Sequence, residues 1–236
     1  MFVDIIIPCF NEDKNITQLV NSWLEIIERN LNFNVYFINN GSTDNTKQEI
    51  INNISLSNNK RLHVIDVPIN KGYGFGLKQG ISITNSDVLC WTHADLQIPA
   101  VDVEKIIQIY LQNTNSTKVI YKGKRKKRNF LDATFTKAMS VFGFILTGMY
   151  IKDINAQPKI FPRQLLDEID NFPDDFSIDA HLLFLAKLKN YQINEVRSNF
   201  YNRINNEAKG GGSFKGKIKL SVATLKYLSN QSFKGK

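Results

Sequence analysis

Val3-Asp4-Ile5-Ile6-Ile7-Pro8-Cys9-Phe10-Asn11-Glu12 is an apolar strand that Pro8 stops. It runs into a helical repeat of apolar residues at Ile16, Leu19, Val20, Trp23, Leu24 and Ile27. The change of period recurs. Asn34-Val35-Tyr36-Phe37-Ile38 reads as a second strand, entering Asn39-Asn40-Gly41-Ser42-Thr43-Asp44. There Ser42 or Thr43 is placed to cap a helix carrying Ile50, Ile51 and Ile54. A third strand, residues 62–67, leads to Asn70-Lys71-Gly72-Tyr73-Gly74-Phe75-Gly76, and a fourth covers residues 88–92. Strands and helices alternating in this way predict an α/β domain, a mostly parallel central sheet with helices on both faces. Ligands of such sheets sit at the carboxyl ends of the strands. Asn11-Glu12, Asn39-Asn40, Lys71-Gly72 and residues 93–97 all fall there.

The last of these, His93-Ala94-Asp95-Leu96-Gln97, follows the apolar run Val88-Leu89-Cys90-Trp91. If the backbone stays extended, a period of two turns His93, Asp95 and Gln97 to one side. Asp and Gln oxygens suit Mg²⁺ or Mn²⁺, and the imidazole leans toward Mn²⁺. Such a cation would bridge a diphosphate. The plain alternatives are a solvated loop, or Asp95 capping the next helix. The glycines at 72, 74 and 76 follow the third strand rather than the first, a weak match to a dinucleotide fingerprint. They read as close backbone approach to a ligand at a helix start, or as a purely structural helix start.

Taken in order, Ile-Ile-Ile-Pro-Cys-Phe-Asn-Glu, Asn-Asn-Gly-Ser-Thr-Asp-Asn-Thr, Asn-Lys-Gly-Tyr-Gly and Ala-Asp-Leu-Gln-Ile-Pro resemble the family 2 inverting glycosyltransferases of the GT-A fold. The likeness is greatest to the branch holding dolichol-phosphate mannose synthases and bacterial polyprenyl-phosphate glycosyltransferases. Asp153-Ile154-Asn155-Ala156-Gln157-Pro158-Lys159-Ile160-Phe161 resembles its acceptor-side loop, and Ser177-Ile178-Asp179-Ala180-His181 its acidic helix start. Arg203 with Gly212-Ser213-Phe214-Lys215 resembles its closing basic loop, so the match spans roughly residues 3–215.

The resemblance implies a GT-A domain over residues 1–215, with a Rossmann-like nucleotide-sugar half at 1–100, an acceptor half at 101–215 and a basic amphipathic tail at 216–236. It implies metal-dependent, inverting transfer from a nucleotide-sugar donor to a polyprenyl- or dolichyl-phosphate lipid or a surface glycan, with Mg²⁺ or Mn²⁺ as cofactor. Asp95 is then the metal's carboxylate ligand, assisted by Gln97, and neutralises charge on the leaving diphosphate. Pro8, Phe10, Glu12, Asn39, Asn40, Ser42, Lys71, Gly72, His93 and Ala94 become the donor-binding positions. Lys124, Arg125, Gln157, Lys159, Arg203 and Ser213 become the acceptor-binding positions. For an alcohol acceptor Asp179 is the position for a general base. A lipid phosphate is already ionised and needs none, and Lys124, Arg125 and Arg203 would then hold phosphates.

Two departures stand out. His93 occupies a position where the family usually has Asp, and Asn39-Asn40 replaces a common acidic pair. An imidazole and an amide can still hydrogen-bond there, so activity with altered metal preference is expected and the nucleobase is not readable. The departures also keep open a non-catalytic sugar-nucleotide-binding subunit.

With 236 residues and 42% hydrophobic content, the chain can bury one sizeable core. Cys9 and Cys90 fall in apolar strands, as small buried thiols do, which predicts a reducing, cytoplasmic setting. No cationic start precedes an apolar leader core. The net charge of +8 is densest in Lys122-Gly123-Lys124-Arg125-Lys126-Lys127-Arg128. That run reads as a solvated charge cluster, a nucleic-acid patch, or a dock for anionic lipid or phosphate. An apolar helical stretch follows over residues 130–150, too interrupted to span a bilayer. It suits either a membrane surface, giving a peripherally associated protein, or core packing. Residues 215–228 read as a short basic amphipathic helix, resting on a membrane or on the domain edge. No nucleic-acid-binding motif is present.

Overall fold

The first four strands are short apolar runs, and they lie parallel because each is followed by a helix that returns the chain to the same sheet edge. The structure is a computed structural model that describes residues 1–113, 118–125, 130–166, 171–203, 205 and 214–230. In chain order it shows β1 (Val3–Cys9), α1 (Asp13–Arg29), β2 (Phe33–Asn40), α2 (Thr46–Ser57), β3 (Leu62–Val67), α3 (Tyr73–Ile83), β4 (Val88–Trp91) and α4 (Ala100–Gln112). There follow β5 (Val119–Arg125), α5 (Phe130–Thr147), β6 (Lys159–Pro162), α6 (Ile178–Leu188), β7 (Gln192–Ser198) and α7 (Phe214–Asn230). The sheet order is β3-β2-β1-β4-β6-β5-β7. β6 alone runs antiparallel, against both β4 and β5, whereas β5 and β7 are parallel. The expected α/β architecture is therefore present.

Alternation along β1 sends Ile5, Ile7 and Cys9 into one apolar layer and Ile6 into the other. The first layer takes the stripe Ile16, Leu19, Val20, Trp23 and Ile27 of α1, with Val103, Ile106 and Ile107 of α4. The second takes Leu77 and Ile81 of α3 and Leu182 and Leu183 of α6. Each such side chain contributes about 1.5–3 kcal/mol on burial. Asp4, buried in the same strand, is satisfied by the Asn34 amide at 3.0 Å and the Asn85 and Ser86 backbone N–H groups at 3.2 and 3.0 Å.

Two sequence readings change. Ser42 and Thr43 do not cap α2: the Thr46 N–H donates to Asp44 Oδ1 at 2.9 Å. Their hydroxyls instead meet the β1 loop, because β1 and β2 end side by side; Ser42 Oγ accepts the Asn11 N–H at 3.1 Å. The start of the basic run is not a solvated cluster but strand β5, between β6 and β7. Lys122 is 1% exposed, its Nζ 3.0 Å from Glu195 of β7. Residues 126–129 lie outside the described residues.

α7 packs on α5 and α6, burying Thr224 and Leu228. His181 of α6 meets the Tyr227 hydroxyl of α7 through Nδ1. Burial pushes the His181 imidazole down from 6.5 to about 4. The unfolded chain takes a proton near pH 6.5 that the folded one refuses until about pH 4. This contribution to stability is complete above pH 6.5 and declines as pH falls toward 4. Thermal melts of His181→Gln between pH 7 and 4.5 should show a shallower acid decline than the unsubstituted chain. Identical slopes would mean that His181 carries none of it.

Candidate active site

β2, β1 and β4 are neighbours, so the loops leaving them meet at one sheet edge. After Trp91 the chain turns instead of staying extended. Leu96 adopts φ 58°, and the Gln97 N–H donates to Asp95 Oδ1 at 3.1 Å. The alternation expected for residues 93–97 is thus absent, because the aspartate offers the backbone a local turn. His93, Asp95 and Gln97 nevertheless line one cleft, together with Arg125, Gln157 and Phe200.

Asp95 is only 4% exposed. Burial would raise its carboxyl pKa, but His93 at 3.8 Å, the Arg203 guanidinium and the Gln97 N–H outweigh it and hold the group below its ordinary value. Arg203 Nη2 donates to Asp95 Oδ2 at 2.8 Å, while Nη1 lies 3.7 Å from Glu12 Oε1. Expected at an acceptor phosphate, Arg203 here sits between two carboxylates, because the chain after β7 crosses the site. Tyr201 N–H donates to the Gln97 carbonyl at 2.8 Å, and Gln97 Nε2 to the Tyr201 carbonyl at 3.1 Å. Asn205 Nδ2 reaches Asn15 Oδ1 at 3.2 Å.

Glu12 is buried at the start of α1, where the Asn15 amide donates to its Oε2 at 2.6 Å. Asn39 donates to Asp66 Oδ1 of β3 at 2.7 Å, and Asp66 also takes Lys47 Nζ at 2.6 Å. Lys47, then Asn39, hold Asp66 below its ordinary pKa. An acidic group thus lies beside Asn39, one strand over. Asn40 turns under α3, donating to the Gly72 carbonyl at 2.9 Å. Pro8 pairs with Ile38 in the β1–β2 ladder, Phe10 is half-buried beyond it, and Ala94 is buried in the core.

Gly72 and Gly74, at the start of α3, lie close against the chain's own backbone. A Cβ on Gly72 would stand 2.3 Å from the Asp174 carbonyl oxygen, and one on Gly74 2.2 Å from that of Pro173. Lys71 lies over the Phe75 ring at 5.0 Å.

Across the cleft, alternation along β5 separates the basic pair. Arg125 lines the cleft and pairs with Asp153, whereas Lys124 is exposed and lies 3.5 Å from Glu195. The two therefore do not form one phosphate grip. Gly123 lets the loop before β6 approach, since a Cβ there would fall 1.8 Å from the Gln157 carbonyl oxygen. Asp179 and Lys159 are 1% and 0% exposed and 2.7 Å apart. Burial pushes the Lys159 ammonium down to about 8, with the Asp179 charge opposing. Trp91 Nε1 donates to Asp179 Oδ1 at 3.0 Å, and Gln157 Nε2 to both its oxygens at 3.1 and 3.0 Å. Lys159 is buried in the sheet rather than on an acceptor surface. Ser213 lies outside the described residues.

Residues 4–169 match the family model described as Glycosyl transferase family 2. The chain belongs to that family. Dolichyl-phosphate beta-glucosyltransferase ALG5A of Trichomonas vaginalis is 22% identical over 83% of this family 2 chain and 64% of its own length. The human dolichyl-phosphate beta-glucosyltransferase is 21% identical over 84% and 67% respectively. An undecaprenyl-phosphate 4-deoxy-4-formamido-L-arabinose transferase of Sodalis glossinidius is 21% identical over 70% and 50%. The chain thus spans about half to two thirds of the length of these curated relatives. Glucosyl-3-phosphoglycerate synthase of Mycobacterium tuberculosis was solved with Mn²⁺, uridine diphosphate and glucosyl-3-phosphoglycerate. It superposes with a TM-score of 0.70 at 17% identity, over 97% of this chain and 80% of its own. The fold is GT-A, as expected.

Sequence reasoning missed several family 2 site neighbours. Asp153 anchors Arg125, Phe200 lies under its guanidinium, and Tyr73 packs edge-on to His93 at 5.3 Å. Trp91, ending an apolar strand with a polar indole N–H, carried the one signal that could have marked a buried partner.

Proposed function

We propose that this chain transfers a sugar, with inversion, from a nucleotide-sugar donor to a lipid phosphate of the polyprenyl or dolichyl type. The state of the carboxylates supports that acceptor. Asp95 is the one carboxylate lining the cleft among the described residues, and Arg203 holds it. Asp179 is enclosed by Lys159, Trp91 and Gln157. An acceptor hydroxyl would need a base to take its proton, whereas an ionised phosphate does not. Arg125 on the cleft wall is the cation suited to that phosphate. The names of the dolichyl- and undecaprenyl-phosphate relatives agree.

In this reading the acceptor oxygen bonds to the anomeric carbon as that carbon's bond to the donor diphosphate breaks. The electron pair leaves with the nucleoside diphosphate. A divalent cation, Mg²⁺ or Mn²⁺, fits the residues present. Asp95 offers a carboxylate, and His93 Nε2 is buried without a partner. Gln97, its NH₂ tied to Tyr201, keeps Oε1 as its ligating atom. Such a cation neutralises charge on the leaving group. Arg203 supplies the chain's own positive charge at the same carboxylate. Glu12 and Asn39 are assigned to the nucleoside in this reading.

The acceptor's setting is proposed to be a membrane surface on the cytoplasmic side. No described helix is long and apolar enough to cross a membrane. α5 instead buries Ser140, Gly143 and Thr147 and exposes Val141, Phe142, Phe144 and Ile145, the last by 68%. Ile218 and Val222 of the adjoining α7 are exposed too, as are Lys137, Lys219 and Lys226 on the same two helices. That combination suits an anionic bilayer surface.

A second reading, transfer to a sugar hydroxyl in surface-polysaccharide synthesis, rests on His93, whose Nε2 could take the proton. With Mn²⁺, labelled UDP-glucose or GDP-mannose, and undecaprenyl phosphate in liposomes, label should enter the organic phase. Arg125→Ala should raise the KM for lipid about ten- to a hundredfold, since a charge-assisted phosphate contact contributes about 1.5–3 kcal/mol. Label confined to a water-soluble glycan would favour the hydroxyl reading. No donor turnover with any acceptor would leave a sugar-nucleotide-binding subunit.

A further inference from the structure

Gln157 was expected on the acceptor side, yet its amide is held in a way that fits another task. The residue is 2% exposed and lines the cleft with Asp95 and His93. Its Nε2 faces both Asp179 oxygens, at 3.1 and 3.0 Å, and the Tyr73 hydroxyl at 3.3 Å. A carboxylate only accepts hydrogen bonds, so Asp179 fixes which way the amide points: NH₂ toward Asp179, carbonyl away from it. Lys159 at 2.7 Å and the Trp91 indole N–H at 3.0 Å hold Asp179 itself in place. Gln157 Oε1 is consequently a buried acceptor with no partner in the protein. Native proteins rarely leave such an atom unmet, and a ligand hydroxyl would satisfy it.

The roles proposed above indicate which part of the ligand arrives there. Asp95 and His93 serve the diphosphate and Arg125 the acceptor phosphate in that reading, and Gln157 lines the same cleft. The group passing between diphosphate and acceptor is the sugar. We infer that Gln157 Oε1 reads a hydroxyl of the transferred sugar by accepting its hydrogen, and that Asp179 is the positioning residue that sets the amide's orientation. The inference rests on the donor assignment proposed above. It gives Asp179 and Lys159 a role without making either a base.

Calorimetric titration in the presence of Mn²⁺ tests it, using UDP, UDP-glucose, GDP, GDP-mannose and the monodeoxy analogues of whichever sugar nucleotide binds. One deoxy analogue should bind the unsubstituted chain about three- to tenfold more weakly than the parent, as loss of one neutral hydrogen bond gives. Gln157→Met should erase that difference while leaving affinity for the bare nucleoside diphosphate unchanged. Equal affinities across the deoxy series, or a difference that persists in Gln157→Met, overturn the inference. If Gln157→Met does not fold, the series on the unsubstituted chain decides alone, a flat series being the negative result. If none of the nucleotides binds, the donor assignment itself fails, and this inference with it.

Discussion

Asp95→Asn should lower sugar-nucleotide turnover in the presence of Mn²⁺ by about a hundred- to a thousandfold, the scale seen when one charge-stabilising group is removed from an active site. The substitution keeps the side chain's size and deletes its charge. It also removes one of the two carboxylate oxygens that now accept from Arg203 Nη2 and the Gln97 N–H. Stability should therefore fall by about 1–3 kcal/mol, the range for a hydrogen bond to a charged group. From the sequence alone Asp95 reads as a solvent-facing loop residue whose loss would leave stability unchanged. Its burial under Arg203 alters that expectation. Turnover assays beside circular-dichroism melts would measure both effects, and unaltered turnover in a folded variant would remove Asp95 from the site.

The second large effect concerns the interior. Lys159→Met should leave the Asp179 carboxylate buried without its cation, a change that costs about 3–5 kcal/mol when one partner of a buried pair is removed. For a chain of this length that corresponds to a melting temperature lower by about 10 °C. Adding Asp179→Leu to Lys159→Met should recover only part of the loss: the unpaired buried charge goes, but the Trp91 indole and the Gln157 amide lose their acceptor. A single variant melting with the unsubstituted chain would show that the pair contributes no stability.

The nucleotide-side half of the fold was legible because its strands are apolar and its helices carry one apolar stripe. β1 to β4 and α1 could be placed from period alone. The acceptor side was not. β5 holds Lys122, Lys124 and Arg125, and a strand that charged reads as a surface run. Lys122 is tolerated there because Glu195, far along the chain, lies beside it on β7, and the Asp153 carbonyl accepts from it at 3.3 Å. α5 misleads in the opposite sense, burying Ser140, Gly143 and Thr147 and exposing Phe142 and Phe144. At the site, residue types were readable and partners were not. Arg203 was assigned a phosphate, but its contacts with Asp95 and Glu12 join residues more than a hundred positions apart. Pairings of that kind depend on where a loop crosses the sheet edge, which local patterning does not encode.

The reversed strand β6 has a consequence for how such a chain can diversify. Trp91, where β4 ends, pairs with Lys159, where β6 begins, so the segment entering β6 arrives at the edge that the parallel strands leave. In a wholly parallel sheet that segment would enter on the far side. The reversal makes the two walls of the cleft separate pieces of chain: one tuned by the loops after β1, β2 and β4, the other by whatever is inserted between β5 and β6. Each wall can lengthen, shorten or change composition while the other keeps its register. One inherited nucleotide pocket can in this way serve acceptors of different chemistry.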